Sequence, residues 1–297
     1  MTGIRFGVDL GGTKIEIIAL GPDGAERHRM RVPTPRAYDD IIAAIAGLVL
    51  ETEAKAGGPG SVGVGIPGCL SPATGLVKGA NTQALNGKPL DRDLAAAIGR
   101  TVRVANDANC FALSEASDGA AAGLGCVFGV IMGTGCGGGV VVNGRILEGR
   151  HGIAGEWGHN PLPWMTPEEF PGRRCWCGRL GCLETFVSGP ALAADCDGPG
   201  ARDATSIPAR AAAGEAKAIA ALERHADRLA RALAALINVL DPDAIVLGGG
   251  VSNMPHLYEA VPRLLPRYVF SDVTTTPVLK AMHGDSSGVR GAAWLWP

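Results

Sequence analysis

Residues 6–14 are Phe-Gly-Val-Asp-Leu-Gly-Gly-Thr-Lys, and residues 128–139 are Phe-Gly-Val-Ile-Met-Gly-Thr-Gly-Cys-Gly-Gly-Gly. Each stretch begins as a β-rich run and continues through a glycine-rich turn into a second β-rich run. A hairpin-type turn follows in both cases, at residues 21–24 and at Asn143-Gly144. The same device in both halves of a 297-residue chain predicts a duplicated α/β fold. We expect the two glycine turns to bind a phosphate-bearing ligand between the halves.

The composition excludes several classes of protein. The formal net charge is -2, so the chain lacks the basic character typical of nucleic-acid binding. No apolar run reaches the roughly 18 residues that span a bilayer, and the N-terminus does not resemble a signal peptide. We therefore expect a cytoplasmic enzyme without membrane or nucleic-acid partners. In that compartment the eight cysteines would be thiols or metal ligands rather than disulfides.

Hydrophobic periodicity predicts alternating strands and helices. The predicted strands are 4–9, 13–20, 61–66, 102–105, 127–132, 140–142 and 244–247, and the predicted helices are 38–56, 90–98, 109–122 and 218–240. Residues 197–210 are rich in Gly, Pro and polar residues, which predicts a loop. We predict an N-terminal α/β domain at 1–118, completed by a C-terminal helix at 286–297, and a second α/β domain at 119–285. The active cleft would lie where the two domains meet.

The second glycine stretch formally matches the dinucleotide-binding fingerprint through Gly133, Gly135 and Gly138. That fingerprint requires a helix after the glycines, so that the helix N-terminus meets the pyrophosphate. Here a run of three valines and a hairpin turn follow instead. The pattern therefore predicts a strand, and argues against a dinucleotide fold.

A glycine hairpin can still present successive backbone N–H groups to phosphate oxygens. In the first turn Thr13 and Lys14 would add a hydroxyl and a positive charge, and Asp9 would bind Mg²⁺ through water. Tight turns that need positive φ are the alternative for either turn alone, but both turns together with 248–250 favour nucleotide binding. The predicted nucleotide-binding residues are Gly7, Val8, Asp9, Leu10, Gly11, Gly12, Thr13, Lys14, Gly133, Thr134, Gly135, Cys136, Gly137, Gly138, Gly139, Val140, Gly249 and Gly250.

Three cysteines lie close together in the sequence, at Cys175, Cys177 and Cys182. With His159 as fourth ligand they would complete a tetrahedral, structural Zn²⁺ site. Reduced loop thiols are the alternative, and an iron–sulfur cluster is disfavoured because a fourth nearby cysteine is missing. Zinc would fix the segment around His159, and with it Glu156 and Glu184, against the cleft.

Asp107 lies at a predicted strand-to-helix junction, where a catalytic side chain can project into a cleft. The alternative is that Asp107 is the N-cap of the helix, since aspartate is common at that position. Asn109 could cap the helix instead, so the catalytic and capping interpretations are compatible.

Taken together, these motifs resemble the ROK family of repressors and sugar kinases. The resemblance rests on Asp9-Leu-Gly-Gly-Thr-Lys14, Asn106-Asp-Ala-Asn109, Gly155-Glu-Trp-Gly-His159 and Cys175-x-Cys177-Gly-x-x-Gly-Cys182-x-Glu184. Segments 66–68, 159–164 and 283–297 look most like bacterial fructokinases, also called mannofructokinases. Two features depart from the family pattern: the spacer between His159 and Cys175 is longer, and 195–214 has no matching motif.

The resemblance implies an actin-like, ribonuclease H-like ATPase fold that phosphorylates a hexose with ATP and Mg²⁺. The expected reaction converts D-fructose to fructose 6-phosphate, with mannose as a possible second substrate. Asp107 matches the family's catalytic base, which accepts the hydroxyl proton during attack on the γ-phosphate. The expected sugar-binding residues are Gly68, Asn81, Asn106, Asp107, Glu156, His159 and Glu184.

Three alternatives accompany this prediction. Glucokinase and N-acetylhexosamine kinase belong to the same family and would use the same motifs. A sugar-sensing repressor is less favoured, because a first strand at residue 4 leaves no room for a preceding helix-turn-helix domain.

The resemblance to the family also implies that the protein assembles as a homodimer.

Overall fold

The computed structural model describes residues 3–296, apart from the side chain of Asp285. Its strands are β1 (Arg5–Leu10), β2 (Lys14–Leu20), β3 (Glu26–Pro33), β4 (Ser61–Ile66), β5 (Cys69–Leu70), β6 (Val77–Lys78), β7 (Val102–Asn106), β8 (Cys126–Met132), β9 (Cys136–Val142), β10 (Arg145–Ile146), β11 (Ala244–Gly248) and β12 (Val278–Lys280). Its α-helices are α1 (Tyr38–Ala56), α2 (Leu90–Ile98), α3 (Asp107–Ser117), α4 (Glu184–Val187), α5 (Gly189–Asp197), α6 (Ile207–Ala212), α7 (Ala216–Leu240), α8 (His256–Leu264) and α9 (Ser287–Ala293). Within residues 3–296, none of these helices has the length and apolar character needed to cross a membrane.

Two five-stranded sheets repeat one topology. The first has the order β3-β2-β1-β4-β7, and the second has the order β10-β9-β8-β11-β12. In the first sheet β1 and β2 are antiparallel, whereas β1, β4 and β7 run parallel. In the second sheet β9 and β10 are antiparallel, whereas β8, β11 and β12 run parallel. The duplicated α/β fold predicted from the two glycine stretches is therefore present.

The chain divides into two compact units. The first unit comprises Met1–Gly123, Gly139–Ala154 and Met282–Pro297, and the second comprises Leu124–Gly138 and Gly155–Ala281. The sequence predicts that residues 139–154 belong to the second domain, whereas the structure includes them in the first unit. The sequence-based division stays a prediction, and residue 297 of the predicted C-terminal helix lies outside the described residues.

The core of the first unit lies between its sheet and α1. The apolar residues of α1 recur at helical spacing, so that Ile41, Ile45 and Val49 are fully buried in this core. On the other face of the sheet, Ile18 and Leu20 pack against α9. Helix α9 also crosses α3 at Gly291, where an added Cβ would lie 1.6 Å from the carbonyl oxygen of Cys110. Only glycine permits this approach of the two helix backbones.

In the second unit, the long helix α7 buries charged groups as well as apolar ones. Glu169 accepts from Arg228 Nε at 2.8 Å and from Arg231 Nη2 at 2.8 Å, and all three side chains are nearly buried. Burial alone would raise the pKa of Glu169, but the hydrogen bonds from Arg231 and Arg228 outweigh it and lower the pKa to about 2. The ion pairs therefore attach the segment before residue 170 to α7.

Several predicted elements differ from the observed ones. Helix α3 begins at Asp107, two residues earlier than predicted, and ends at Ser117. Strand β9 begins at Cys136 rather than at residue 140, so three glycines belong to a strand. Helix α6 lies within and just beyond the predicted loop 197–210, because Pro208 occupies the first turn of a helix, where it is tolerated.

Candidate active site

In the first unit, the junction between β7 and α3 presents Asn106 and Asp107. Asn106 Oδ1 accepts from the backbone N–H of Ala108 at 2.9 Å and from that of Asn109 at 3.4 Å. Asn106 is thus the N-cap of α3, and neither Asp107 nor Asn109 has that role. Asp107 occupies the first helical position with an exposed side chain, and its Oδ1 accepts from Ala108 N–H at 2.8 Å.

The side-chain nitrogen of Asn106 binds a second segment of the candidate site, the one around Gly68. Asn106 Nδ2 donates to the carbonyl oxygen of Gly68 at 3.0 Å. The neighbouring turn carries Asn81, which is exposed, and Thr82, whose Oγ1 lies 3.7 Å from the position of a Cβ at Gly12. The first unit therefore joins Gly68 to Asn106 directly and brings the turn around Asn81 beside the first glycine turn.

Asp9 has the most perturbed carboxyl group of this region. Burial, followed by the charges of Asp107 and Glu16, raises its pKa to about 6, and Lys14 opposes this effect. Glu16 is the direct partner of Asp9 in the β1–β2 register. It accepts from Lys14 Nζ at 3.2 Å and also pairs with Arg29. A bound cation would reduce the repulsion between the carboxylate of Asp9 and those of Asp107 and Glu16.

The second glycine turn, in the second unit, is short. Gly133 N–H donates to Gly135 O at 3.0 Å, and the strand β9 starts immediately afterwards. Cys136 N–H donates to Glu184 Oε2 at 3.1 Å. The backbone N–H of Cys136 is therefore hydrogen-bonded within the protein, although the sequence predicts Cys136 as a nucleotide-binding residue. Gly189 N–H donates to Gly133 O at 2.9 Å and fixes the other side of the turn.

A 3-10 turn at Trp157–His159 contains the predicted sugar-binding residue His159, and Glu156, another such residue, directly precedes it. Trp157 Nε1 donates to Gly137 O at 2.9 Å, and its ring packs edge-on against Phe128. Gly158 lies so close to β9 that an added Cβ would be 2.1 Å from the carbonyl oxygen of Cys136. This packing fixes His159, with Glu156 exposed at the start of the turn, against the glycine-rich strand.

The predicted metal ligands lie together in the second unit. Their ligand atoms all lie within 4.8 Å of one another, and the four residues are His159, Cys175, Cys177 and Cys182. Cys175 Sγ is 3.5 Å from His159 Nδ1, and Cys177 Sγ is 3.6 Å from Cys182 Sγ. Ligands about 2.0–2.3 Å from a tetrahedral Zn²⁺ would be separated by roughly 3.5–3.8 Å. The donor set and its spacing fit a structural zinc site.

Glu184 lies between this cluster and the second glycine turn. Its Oε1 is 3.6 Å from Cys175 Sγ, and its Oε2 accepts from Cys136 N–H. The second unit thus gathers His159, Glu184 and the glycine turn into one contiguous set.

Two groups of contacts escaped the sequence analysis. Glu16 interrupts an otherwise apolar strand, and a charged residue at such a buried position was a signal that could have been used. The contacts of Glu169 with α7 join residues about 60 positions apart without any motif, so the sequence offered no comparable signal.

The chain is similar over nearly its whole length to proteins of one family. The sequence profile of the ROK family matches residues 5–297. An N-acetyl-D-glucosamine kinase from Pectobacterium atrosepticum is 43% identical, over 98% of this chain and 98% of its own length. A ROK hexokinase from Thermus thermophilus has a TM-score of 0.87 at 34% identity, over 98% of this chain and 97% of that chain. A ROK family glucokinase from Streptomyces griseus, in complex with glucose and AMPPNP, has a TM-score of 0.75 at 29% identity, over 98% of both chains.

These similarities correct one prediction and confirm another. The prediction of a fructokinase is wrong, because the full-length relative at 43% identity is an N-acetyl-D-glucosamine kinase. The alternative of an N-acetylhexosamine kinase is better supported. The actin-like, ribonuclease H-like fold is confirmed by the two solved structures. The chain belongs to the ROK family, and it is an ATP-dependent sugar kinase.

Proposed function

We propose that the protein transfers the γ-phosphoryl group of ATP to the primary 6-hydroxyl of N-acetyl-D-glucosamine. The observation that carries this proposal is the 43% identity, over nearly the entire chain, to a kinase named for that sugar. The geometry of both units is compatible with it, since each contains a glycine turn and predicted sugar-binding side chains.

Asp107 is the proposed general base. Its carboxylate is exposed at the start of α3, and the neighbouring Asn106 is fixed by hydrogen bonds to two segments. In the reaction the carboxylate accepts the proton of the 6-hydroxyl as the oxygen bonds to the γ-phosphorus, and the bond from that phosphorus to the β,γ-bridging oxygen breaks, so that ADP leaves. Such proton transfer contributes typically about 10²–10⁴-fold to a rate, and alignment with charge stabilisation supplies the remainder.

The nucleotide would be bound by the two glycine turns, with Lys14 and Thr13 from the first. Mg²⁺ would supply charge neutralisation at the transferred phosphoryl group, and Asp9 would hold it through water. Because the pKa of Asp9 is about 6, its carboxyl group is mostly ionised at neutral pH and available for this role. The strand pairing of Asp9 with Glu16 fixes both residues at one edge of the turn.

Each unit holds its own set of proposed sugar-binding residues in place. The proposed set is Gly68, Asn81 and Asn106 from the first unit, and Glu156, His159 and Glu184 from the second. His159 directs Nδ1 towards Cys175, so its Nε2 is the nitrogen that would contact a sugar hydroxyl. Zinc bound by the four-residue cluster would order the loop rather than take part in the chemistry.

A coupled assay of ADP release with four sugars tests the proposal. N-acetyl-D-glucosamine should give the highest kcat/KM, compared with glucose, mannose and fructose, and the product should carry phosphate on carbon 6. A clear preference for another of these sugars would overturn the substrate assignment while the sugar kinase assignment stands. The homodimer and the cytoplasmic location stay predictions, and light scattering of the purified protein checks the former.

A further inference from the structure

A small pocket in the first unit lies beside Asn106. Its volume is about 140 Å³, and Asn106, Leu70, Ile146 and Glu148 are among the residues that line it. Leu70 follows Gly68 by two positions, and the carbonyl oxygen of Gly68 accepts from Asn106 Nδ2. Asn106, one of the proposed sugar-binding residues, therefore lines the pocket and is also hydrogen-bonded to the segment that carries Leu70.

The pocket has two chemically different sides. Leu70, Ile146 and Val104 supply apolar surface, and the amides of Asn106 and Asn109 supply polar groups. Glu148 adds a carboxylate, which is exposed. No lysine, arginine or histidine is among the lining residues, so the pocket does not suit an anion. It suits a small neutral group that has a methyl end, a donor and an acceptor.

An acetamido group has this chemistry. Its methyl can contact Leu70 and Ile146, its N–H can donate to Glu148, and its carbonyl oxygen can accept from an amide. The pocket volume equals that of roughly four to five waters at about 30 Å³ each, enough for the few heavy atoms by which an acetamido group exceeds a hydroxyl.

The acetamido group of the sugar lies on the opposite side of the ring from the reacting hydroxymethyl group. Carbon 2, which bears the acetamido group, lies across the pyranose ring from carbon 5, which bears the primary hydroxymethyl group. Asp107, the proposed base for that hydroxyl, is adjacent to Asn106 in sequence but does not line the pocket. We infer that this pocket receives the 2-acetamido group of the sugar, and that Ile146 sets the size of the N-acyl group accepted. This inference rests on the proposed function.

Two substitutions of Ile146 test the inference in opposite directions. Ile146→Phe fills the pocket and should lower kcat/KM for N-acetylglucosamine at least tenfold more than kcat/KM for glucose. Ile146→Ala enlarges it and should raise kcat/KM for N-propanoylglucosamine relative to N-acetylglucosamine by about threefold or more. A single methylene in a hydrophobic pocket is worth about 10-fold or more in discrimination, so both effects are measurable. The gain with the larger sugar cannot come from misfolding.

Ile153→Phe is the matched control. Ile153 lies on the same segment, is 51% exposed and does not line the pocket, so this change should leave the ratio between the sugars unaltered. If the wild type uses N-acetylglucosamine but the Ile146 variants change both sugars equally, the subsite is overturned and the proposed function stands. If the wild type phosphorylates glucose but not N-acetylglucosamine, the proposed function and the subsite both fail.

Discussion

Replacement of Asp9 by asparagine should raise the free energy of unfolding and abolish the kinase activity. Burial and the neighbouring carboxylates raise the pKa of Asp9 from 3.8 to about 6, so the folded state binds this proton more tightly than the unfolded state does. Ionised Asp9 therefore costs stability above pH 6, and the cost falls as the pH decreases from 6 to 3.8. At about 1.4 kcal/mol per pH unit, the cost is about 3 kcal/mol at pH 7.5 and roughly half of that at pH 5.

Urea unfolding of the wild type and Asp9→Asn, without nucleotide or magnesium, measures this cost. The variant should have the higher free energy of unfolding at pH 7.5, and the difference between the two proteins should shrink by about 1.5 kcal/mol at pH 5. Any contribution that does not depend on pH cancels in this comparison. Asp272→Asn, at an exposed loop position, controls for the change in net charge.

Two results would refute the reasoning. A difference in unfolding free energy between the variant and the wild type that is the same at both pH values, whatever its sign, would show that the pKa of Asp9 is not raised by the fold. Retention of normal kcat with Mg·ATP would show that its carboxylate has no part in binding the metal–nucleotide complex. The expected combination of higher stability and lost activity is typical of a residue strained for function.

Four further outcomes are expected. Asp107→Asn should lower kcat about 10²–10⁴-fold without a change in thermal stability, and kcat above a tenth of the wild-type value would exclude it as the base. Metal analysis should find one zinc per chain, and Cys177→Ser should lower both zinc content and melting temperature; full activity and stability after chelation would leave only reduced thiols. Glu156→Gln should raise KM for N-acetylglucosamine more than KM for ATP in steady-state assays, and equal changes would remove it from the sugar site. Glu169→Gln should lower the free energy of unfolding, measured with urea, by about 2 kcal/mol, because Arg228 and Arg231 would lose the carboxylate they share and keep only their pairs with Asp195 and Asp227; a change below about 1 kcal/mol would contradict the ion-pair argument.

Elements with a strong local signal were predictable from the sequence. Helix α1 was predicted at its observed limits, because its apolar residues follow helical spacing and it ends at Gly57. The start of β9 was missed, because glycine has little intrinsic preference for strands and only tertiary packing shows why it occurs there. An added Cβ at Gly138 would lie 2.9 Å from both Phe128 and Trp157, so the strand requires glycine at this point.

The candidate site was predictable to the extent that its residues lie in short motifs. The spacing of Cys175, Cys177 and Cys182 predicted a cluster that the structure brings together with His159. The choice of fructose was wrong, because the motifs were interpreted as phosphate-binding turns and a general base, and none of them was linked to a feature that distinguishes one sugar from another. The pocket near Ile146 is lined by residues of β7 and β10, which are about 40 residues apart in the sequence. No local sequence pattern therefore predicts it.

The position of α9 has a consequence for biosynthesis. Helix α9 packs on β1, β2, β4 and α3, so the first unit is completed by residues near the end of the chain. The second and third segments of the first unit are separated by Gly155–Ala281, which is 127 residues. Since ribosomes add roughly 5–20 residues per second, the nascent first unit waits on the order of 6–25 s for α9. During this interval Ile18 and Leu20 lack the cover that Val289 and Ala293 give them. The face of β2 that carries Ile18 and Leu20 is therefore among the last surfaces of the first unit to reach its final packing.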